Sequence, residues 1–388
     1  MSKHSKRQFF TVPFDLLLIK KDIPYDLYIN SSSSDSRDHF VRVFPKGDFL
    51  ERIDVINLKR KYFQVYLLES QRGDYLKSLS LREGVSDEKK TNVIKETAIN
   101  YLDKLFNPEK EFTTDVLKSS IKGCQDSVEG MVSILKDYDI TEVQDLIGKM
   151  SFHDFYTYDH SINVAMYAIS LCKAYNPKAS QTELMEAGLG GLLHDLGKIK
   201  IPTSIINNSG KLSEEDFNEI KNHPRFGIEL LVNFNIEFKE GVRFNVVKRV
   251  IHEHHENFNG TGYPNKLKEE EIHLYARMTA ICDFFDAITT KRSYHEVLST
   301  EDAIAVMART CGKKIDEEVF KVFVKNISNL VYKGKTNQEI DFDFDPCMPH
   351  EKLPISKAGA EIQLKDFFKK DKELGFGKII DKDKGEEI

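Results

Sequence analysis

Residues 184–202 read LMEAGLGGLLHDLGKIKIP, and this stretch decides the fold of the central part of the chain. Its apolar residues recur at helical spacing and end at His194, so the stretch predicts a helix followed by a loop. The imidazole of His194 and the carboxylate of Asp195 then lie at the end of that helix. Burying such groups costs on the order of several kcal/mol unless they are paired or coordinated. The stretch therefore indicates a polar site inside a helical body.

Three glycines lie within this predicted helix, at positions 188, 190 and 191. Each of them costs up to ~1 kcal/mol of helix stability relative to alanine. We therefore predict that a neighbouring element packs closely against this helix.

Further histidines and aspartates recur outward from this stretch, about thirty residues apart, and we expect each to lie at or near a helix end. Separate antiparallel helices can bring one or two such ligands each to a common point. Five imidazoles and two carboxylates exceed the needs of one ion and suit two ions that share a bridging carboxylate. A nitrogen-rich set favours iron, or alternatively manganese, over calcium. The candidate metal ligands are His160, His194, Asp195, His223, His254, His255 and Asp283.

Several of these residues have a simpler explanation when taken singly. His160 shares a helix face with apolar residues and could be a hydrogen-bonded core histidine, and His223 before Pro224 could only mark a helix boundary. The sequence HEHHE at 252–256 does not match the zinc-protease pattern H-E-x-x-H, because Glu256 stands four residues after His252. A metalloprotease is therefore disfavoured.

The flanking sequence predicts a mainly α chain. Residues 1–85 predict a small α+β module, residues 86–150 a helical connector, residues 151–335 the helical domain that carries the site, and residues 336–388 a polar tail. Within the helical domain we predict helix N-caps at Ser213 and Thr300.

The N-terminal module contains several β-like runs. We predict strands within VPFDLLLI (12–19), YDLYIN (25–30), FVRVFP (40–45) and FQVYLLES (63–70), with a helix in ERIDVINLKRKY (51–62). The stretch SSSSDS (31–36) has the small polar residues of a surface loop between two strands.

Composition excludes several classes of protein. The 388 residues carry a net charge of −6 with acids and bases mixed along the chain, so a polymeric nucleic acid is not an expected partner. The five cysteines lie far apart without a C-x-x-C pair, which disfavours a zinc knuckle or a disulfide framework and fits a reducing cytoplasm. No stretch approaches the ~20 apolar residues of a membrane-spanning helix, so we expect no membrane insertion.

Four motifs in order resemble those of the HD-GYP subfamily of the HD-domain metal-dependent phosphohydrolases. They are HDLGKIKIP (194–202), HP (223–224), HHENFNGTGYP (254–264) and ICDFFDAITTKRSY (281–294). The match extends over roughly residues 156–294, under half of the chain. It implies an HD-domain helical bundle as the catalytic domain over residues 151–335.

The resemblance also implies roles for individual residues. All seven candidate ligands become metal ligands, with Asp195 bridging two divalent ions and acting in catalysis. Lys198 corresponds to the family lysine that contacts the scissile phosphate, and Tyr263 and Arg292 to substrate-binding positions. Asp286, one helical turn after Asp283, is expected near the substrate site, orienting a ligand or Lys198.

Two departures from the family pattern stand out. Some members have a glutamate four residues before the first histidine, which supports a third metal, and here that position is Tyr156. We therefore predict two metal ions. The aspartate usual before the glycine of the name-giving motif is replaced by Asn259.

The implied activity is hydrolysis of cyclic di-GMP to pGpG, GMP or both, through in-line attack by a metal-bridging hydroxide. Hydrolysis of another cyclic dinucleotide such as cyclic GMP-AMP, or of a linear nucleotide, is an alternative. A non-hydrolysing cyclic di-GMP receptor is a second one. The resemblance assigns nothing to residues 1–150, which we interpret as regulatory, with a homodimer through the connector and a signalling-protein partner as open alternatives.

Overall fold

The computed structural model describes residues 9–32, 38–150, 156–206, 212–290, 298–327, 338–340 and 355–357. Within these ranges, no helix is both long enough and apolar enough to cross a membrane. The described part is mainly helical with a small N-terminal sheet, which confirms the predicted fold class.

The N-terminal sheet has four antiparallel strands, which are β1 (Phe9–Val12), β2 (Leu27–Asn30), β3 (Phe40–Phe44) and β4 (Val65–Leu68). They lie side by side in the order β1-β4-β2-β3. Helix α1 (Arg52–Lys61) connects β3 to β4, and α2 (Arg72–Ser80) follows the sheet. The predicted helix at 51–62 and the predicted strands β2, β3 and β4 are confirmed.

The prediction of a strand within residues 12–19 was wrong, because β1 covers Phe9–Val12 and ends before Pro13. Proline lacks the backbone N–H that a sheet ladder needs, so the strand cannot continue through it. Phe14–Leu16 instead form a turn of 3-10 helix, and the apolar residues that suggested a strand, Leu16 to Leu18, are buried in the core.

From α2 to Ile327, the described chain is mainly helical. The connector forms α3 (Asp87–Phe106), α4 (Thr114–Leu135) and α5 (Ile140–Lys149), as predicted. Two 3-10 turns, Leu196–Lys200 and Glu269–Glu271, interrupt the helices that follow. Those helices are α6 (Tyr156–Tyr175), α7 (Gln181–Leu193), α8 (Thr203–Ile206), α9 (Glu214–Ile220), α10 (His223–Asn233), α11 (Phe244–Glu253), α12 (Leu274–Thr289), α13 (Thr300–Ala308) and α14 (Glu317–Ile327).

One of the two predicted N-caps is confirmed. The hydroxyl of Ser213 accepts a hydrogen bond from the backbone N–H of Asp216 at the start of α9. The cap of α13 is Ser299 rather than Thr300, because the Ser299 hydroxyl accepts from the N–H of Asp302 at 3.1 Å. Ser299 and Thr300 both have a hydroxyl group that suits an N-cap, but only Ser299 lies three residues before Asp302, whose backbone N–H is capped.

The predicted close packing around the glycines of α7 is confirmed. A Cβ atom on Gly190 would lie 2.5 Å from Cγ1 of Val250 in α11. A Cβ atom on Gly191 would lie 3.0 Å from the Cα atom of Ala165 in α6. Helices α6 and α11 therefore approach α7 as closely as they do because these positions have no side chain.

The sheet and the helices share one continuous hydrophobic core. It runs from Leu27 in the sheet through Leu102 of α3 and Val128 of α4 to Leu192 of α7 and Phe285 of α12. The N-terminal module is thus packed against the helical body. The predicted boundaries at residues 85, 150 and 335 stay predictions.

Little of the predicted C-terminal tail lies within the described residues. Two short strands there, β5 (Gln338–Ile340) and β6 (Ile355–Lys357), pair antiparallel. The interpretation of residues 336–388 as a polar tail included no strands, so both strands are additions to it.

The shared core leads to a prediction about unfolding. Leu76 of α2 is fully buried against α4. We expect Leu76→Ala to lower the free energy of unfolding of the whole described body by about 2–5 kcal/mol, because it leaves a cavity in a core common to both parts. Denaturant unfolding followed by circular dichroism would measure this.

The control is Leu81→Ala, since Leu81 is half exposed and should change stability by about 0.5 kcal/mol or less. Two separate transitions, of which Leu76→Ala shifts only the first, would contradict a common core.

Candidate metal centre

The structure brings all seven candidate ligands to one place. Their nitrogen and oxygen atoms form two groups, and within each group all ligand atoms lie within 4.8 Å of one another. All of these residues are buried except His255, which is partly exposed. The first group contains Asp195, His223, His254 and His255, and the second contains His160, His194 and Asp283.

Helix ends supply most of these side chains. His194 caps the C-terminus of α7, His223 is the first residue of α10, and His254 caps the C-terminus of α11. His160 lies near the start of α6. Asp283 differs from the prediction, because it lies in the interior of α12, where periodicity rather than a boundary places it on the buried face.

A close backbone contact sets the position of Asp195. A Cβ atom on Gly197 would lie 1.8 Å from the carbonyl oxygen of His223, so the 3-10 turn can touch the start of α10 only because residue 197 is glycine. This contact places the Oδ1 atom of Asp195 3.3 Å from Nε2 of His223. The other carboxylate oxygen, Oδ2, lies 3.2 Å from Nε2 of His194. The Asp195 carboxylate therefore faces both groups of ligands.

Backbone carbonyls orient three of the imidazoles in the same way. In each case Nδ1 donates a hydrogen bond to the carbonyl oxygen three residues earlier, which leaves Nε2 as the atom that points into the site. The pairs are His194 with Gly191 at 2.7 Å, His223 with Ile220 at 2.8 Å and His254 with Ile251 at 2.9 Å.

Two of these Nε2 atoms face each other. The distance between Nε2 of His223 and Nε2 of His254 is 3.2 Å. Burial lowers the pKa of His223 to about 4 and holds the pKa of His254 well below its usual value, so both rings are neutral at pH 7. Each Nε2 then carries a lone pair, and the two lone pairs repel each other unless a cation lies beside them.

Other polar atoms in the site also fit a cation. Among the described residues, Nε2 of His194 and Oδ1 of Asp195 are buried and have no hydrogen-bond partner. Burial raises the pKa of Asp195, but nearby His194 and Lys198 lower it by more than burial raises it, so this pKa lies well below the usual range. A buried carboxylate that stays ionised beside bare imidazole nitrogens is the donor set that a divalent metal prefers.

The environment of His160 is different, because both of its ring nitrogens meet carboxylates. Nε2 lies 3.0 Å from Asp283 and Nδ1 lies 2.7 Å from Asp286. Burial lowers the pKa of His160, but these two carboxylates outweigh burial and raise it to about 9. Without a metal, the ring is therefore an imidazolium at pH 7.

Asp286 lies behind His160, with its Oδ2 atom 2.7 Å from Nδ1 of the ring. It is fully buried and also accepts hydrogen bonds from Asn163 at 2.9 Å and Thr290 at 2.7 Å. This placement favours orientation of His160 over the direct substrate contact that we also predicted for Asp286. Sequence reasoning missed Asn163, although its position three residues after His160 puts it on the same helix face.

Lys198 and Tyr263 lie at the margin of the centre. The ammonium group of Lys198 is 2.7 Å from Oδ2 of Asp195, and 15% of the side chain is exposed. The ring of Tyr263 stacks on His255 with centroids 4.7 Å apart and an interplanar angle of 22°. The loop GTGYP (260–264) thus holds its tyrosine against a candidate ligand.

Glu256 anchors this loop, which the sequence did not reveal. Its carboxylate accepts hydrogen bonds from the backbone N–H groups of Asn265 at 2.6 Å and Leu267 at 3.0 Å. In the sequence, Glu256 stands out only as the residue that breaks the zinc-protease pattern. Arg292 lies outside the described residues, and the side chain of Tyr156 is not described, so the predictions for both positions stay predictions.

Comparisons with known proteins give a consistent picture. A family model described as "HD domain" matches residues 144–319. A cyclic di-GMP phosphodiesterase of Pseudomonas aeruginosa is 39% identical over 179 residues, which are 46% of this chain and 41% of that protein. A cyclic di-GMP phosphodiesterase response regulator of Xanthomonas campestris is 34% identical over 151 residues, 39% of each chain.

A 3′3′-cGAMP-specific phosphodiesterase of Vibrio cholerae is 29% identical over 172 residues, which are 44% of this chain and 32% of that protein. The chain thus spans less than half the length of these curated relatives.

The contact at Gly197 leads to a prediction about metal binding. We expect Gly197→Ala to cost about 1–3 kcal/mol of stability and to weaken metal binding, because the new methyl group pushes Asp195 away from His223. Chemical unfolding and a metal titration would measure both effects. Gly148→Ala is the matched control, since a Cβ atom at position 148 of α5 meets nothing within 4 Å. Equal metal binding by both variants would contradict the role of this contact.

The raised pKa of His160 leads to a second prediction, for protein kept free of metal by a chelator. A group whose pKa rises from 6.5 to about 9 on folding contributes stability that is fully present below pH 6.5 and is lost as the pH rises through 9. We therefore expect the midpoint of thermal unfolding to fall more steeply between about pH 7 and about pH 9.5 in wild type than in His160→Gln. Parallel pH dependences would show that His160 is not protonated in the folded chain.

Proposed function

Because residues 144–319 form an HD domain with the motifs of the HD-GYP subfamily, we propose that this protein is a metal-dependent phosphodiesterase that hydrolyses cyclic di-GMP. The observation that carries the proposal is the pair of facing Nε2 atoms of His223 and His254. These two buried nitrogen atoms are 3.2 Å apart and each has a lone pair, and a metal ion bound beside them would offset their repulsion.

We propose that the centre holds two divalent ions. One would bind to the group of Asp195, His223, His254 and His255, and the other to the group of His160, His194 and Asp283. Asp195 would bridge them, which fits its two oxygens, since one faces His223 and the other faces His194. Iron, or alternatively manganese, suits this nitrogen-rich set.

Divalent ions bound here would supply an activated water molecule and positive charge for the phosphate oxygens. The protein's own side chains would do the rest. Lys198 would bind a phosphate oxygen and balance the negative charge that grows as the P–O bond breaks. Asp286 would hold the ring of His160 in place, and the Tyr263 ring would cover His255 and form one wall of the substrate pocket.

Hydrolysis of one phosphodiester bond adds one water molecule and yields linear pGpG. A second hydrolysis of pGpG would yield two molecules of GMP. The second candidate substrate is 3′3′-cGAMP, because one relative of similar coverage is named for it. A receptor that binds without hydrolysis would not need the lysine beside the bridging carboxylate. A homodimer through residues 86–150 and a signalling-protein partner stay predictions.

The first test is metal analysis of protein purified without oxygen, followed by incubation with cyclic di-GMP or 3′3′-cGAMP and chromatography of the products. We expect about two equivalents of iron or manganese, with pGpG or GMP formed faster than any product from 3′3′-cGAMP. Bound metal without turnover of either nucleotide would contradict the proposed phosphodiesterase activity and favour a receptor that binds without hydrolysis.

Two sets of variants separate metal binding from catalysis. We expect His194→Ala with Asp195→Ala to abolish both metal binding and hydrolysis, since the shared ligands are lost. Lys198→Met should keep the metal and lower kcat by roughly 10²–10³-fold, the usual effect of losing one charge-stabilising group. Full activity in a metal-free variant, or unchanged kcat in Lys198→Met, would refute the mechanism.

A further inference from the structure

A buried ion pair joins the connector to the candidate metal centre. Nζ of Lys95 in α3 lies 2.8 Å from Oδ1 of Asp159 in α6, and both side chains are only 2% exposed. Asp159 directly precedes His160. Lys95 lies outside the residues matched by the HD-domain family model, which begin at residue 144.

Such a pair is poorly explained by stability. Removing a lysine and a carboxylate from water costs several kcal/mol each, and apolar residues of similar size often serve as well or better. Its neighbours on α3, Ile94 and Ala98, are fully buried and apolar, so an apolar residue would suit position 95. A buried pair is better suited to fixing the geometry of the elements that it joins.

Among the described residues, the other ion pairs that join the N-terminal module, the connector and the helical body are more exposed. Lys239, in the loop after α10, pairs with Glu129 of α4, and their side chains are 27% and 10% exposed. The pair of Lys77 and Glu129 has exposures of 47% and 10%. The fully buried position beside a candidate ligand therefore sets Lys95 and Asp159 apart from these pairs.

We propose that Lys95 is a positioning residue of the metal centre. Through Asp159 it fixes the start of α6, and so holds His160 where its ring meets Asp283 and Asp286. Helix α3 also contacts the 3-10 turn that carries Lys198. The inference rests on the proposed function in that His160 is taken to be a metal ligand.

The same helix connects the metal centre to the N-terminal module. The hydroxyl of Tyr101 in α3 donates a hydrogen bond to Glu69, just after strand β4, at 2.7 Å. A displacement of the module would therefore move α3 and, with it, Lys95. This contact links the end of the N-terminal sheet to the helix that carries Lys95.

The test uses the full chain, stripped of metal and titrated with Mn²⁺. Lys95→Met alone takes the lysine partner away from the buried Asp159 carboxylate and can cost about 3–5 kcal/mol of stability, so it does not separate folding from positioning. The deciding variant is Lys95→Met with Asp159→Asn, which removes both charges at nearly constant shape. Thermal unfolding establishes that this variant folds.

We expect the double variant to bind one Mn²⁺ as wild type does and the second roughly 10- to 100-fold more weakly, as is usual when support behind a ligand is lost. Electron paramagnetic resonance should then show an isolated Mn²⁺ in place of a coupled pair. The matched control is Lys239→Met, which removes two ion pairs between the helical body and the connector, those of Lys239 with Asp126 and Glu129. It should bind both ions as wild type does.

Wild-type affinity for both ions in the double variant would overturn the proposal, as would an equal loss in Lys239→Met. The readout does not depend on turnover. Wild-type protein that binds two Mn²⁺ but hydrolyses no cyclic dinucleotide would therefore contradict the proposed function alone.

Discussion

Four of the five imidazoles in the candidate metal centre are buried, and a buried ring nitrogen needs a partner that donates, accepts or coordinates. The remaining features of the site depend on this constraint. Helix ends provide the solution. The last carbonyl groups of a helix have no partner within it, so a histidine placed there can donate Nδ1 to one of them. His194 and His254 do this at the ends of α7 and α11. The outcome is a set of Nε2 atoms that all point inward, toward a common position.

The centre depends as much on close packing as on hydrogen bonds. Helices α6 and α11 pack closely against α7 at Gly191 and Gly190, and the 3-10 turn touches the start of α10 at Gly197, because glycine has no side chain to keep these elements apart. The same residues that look unfavourable for a helix in the sequence are thus required by the tertiary structure. Their cost in local stability is offset by contacts that local propensity does not include.

Much of this arrangement could be predicted from the sequence, since helical periodicity and ordered motifs identify elements and residue types. The sequence could not reveal pairings between distant segments, such as Lys95 with Asp159 or Asp286 with His160. Nor could it choose between two adjacent capping hydroxyls, or weigh Pro13 against the apolar run around it. These outcomes depend on three-dimensional neighbours, which spacing along the chain does not encode.

The use of main-chain acceptors has a consequence for mutational robustness. A carbonyl oxygen is present whatever side chain its residue carries, so substitutions at Ile220 or Ile251 leave the acceptors for His223 and His254 in place. His160 has no such protection, because a single substitution at Asp286 removes the carboxylate that accepts from its Nδ1 atom. Sequence drift should therefore be tolerated unevenly within one centre, with His160 and its carboxylate partner as its most fragile part.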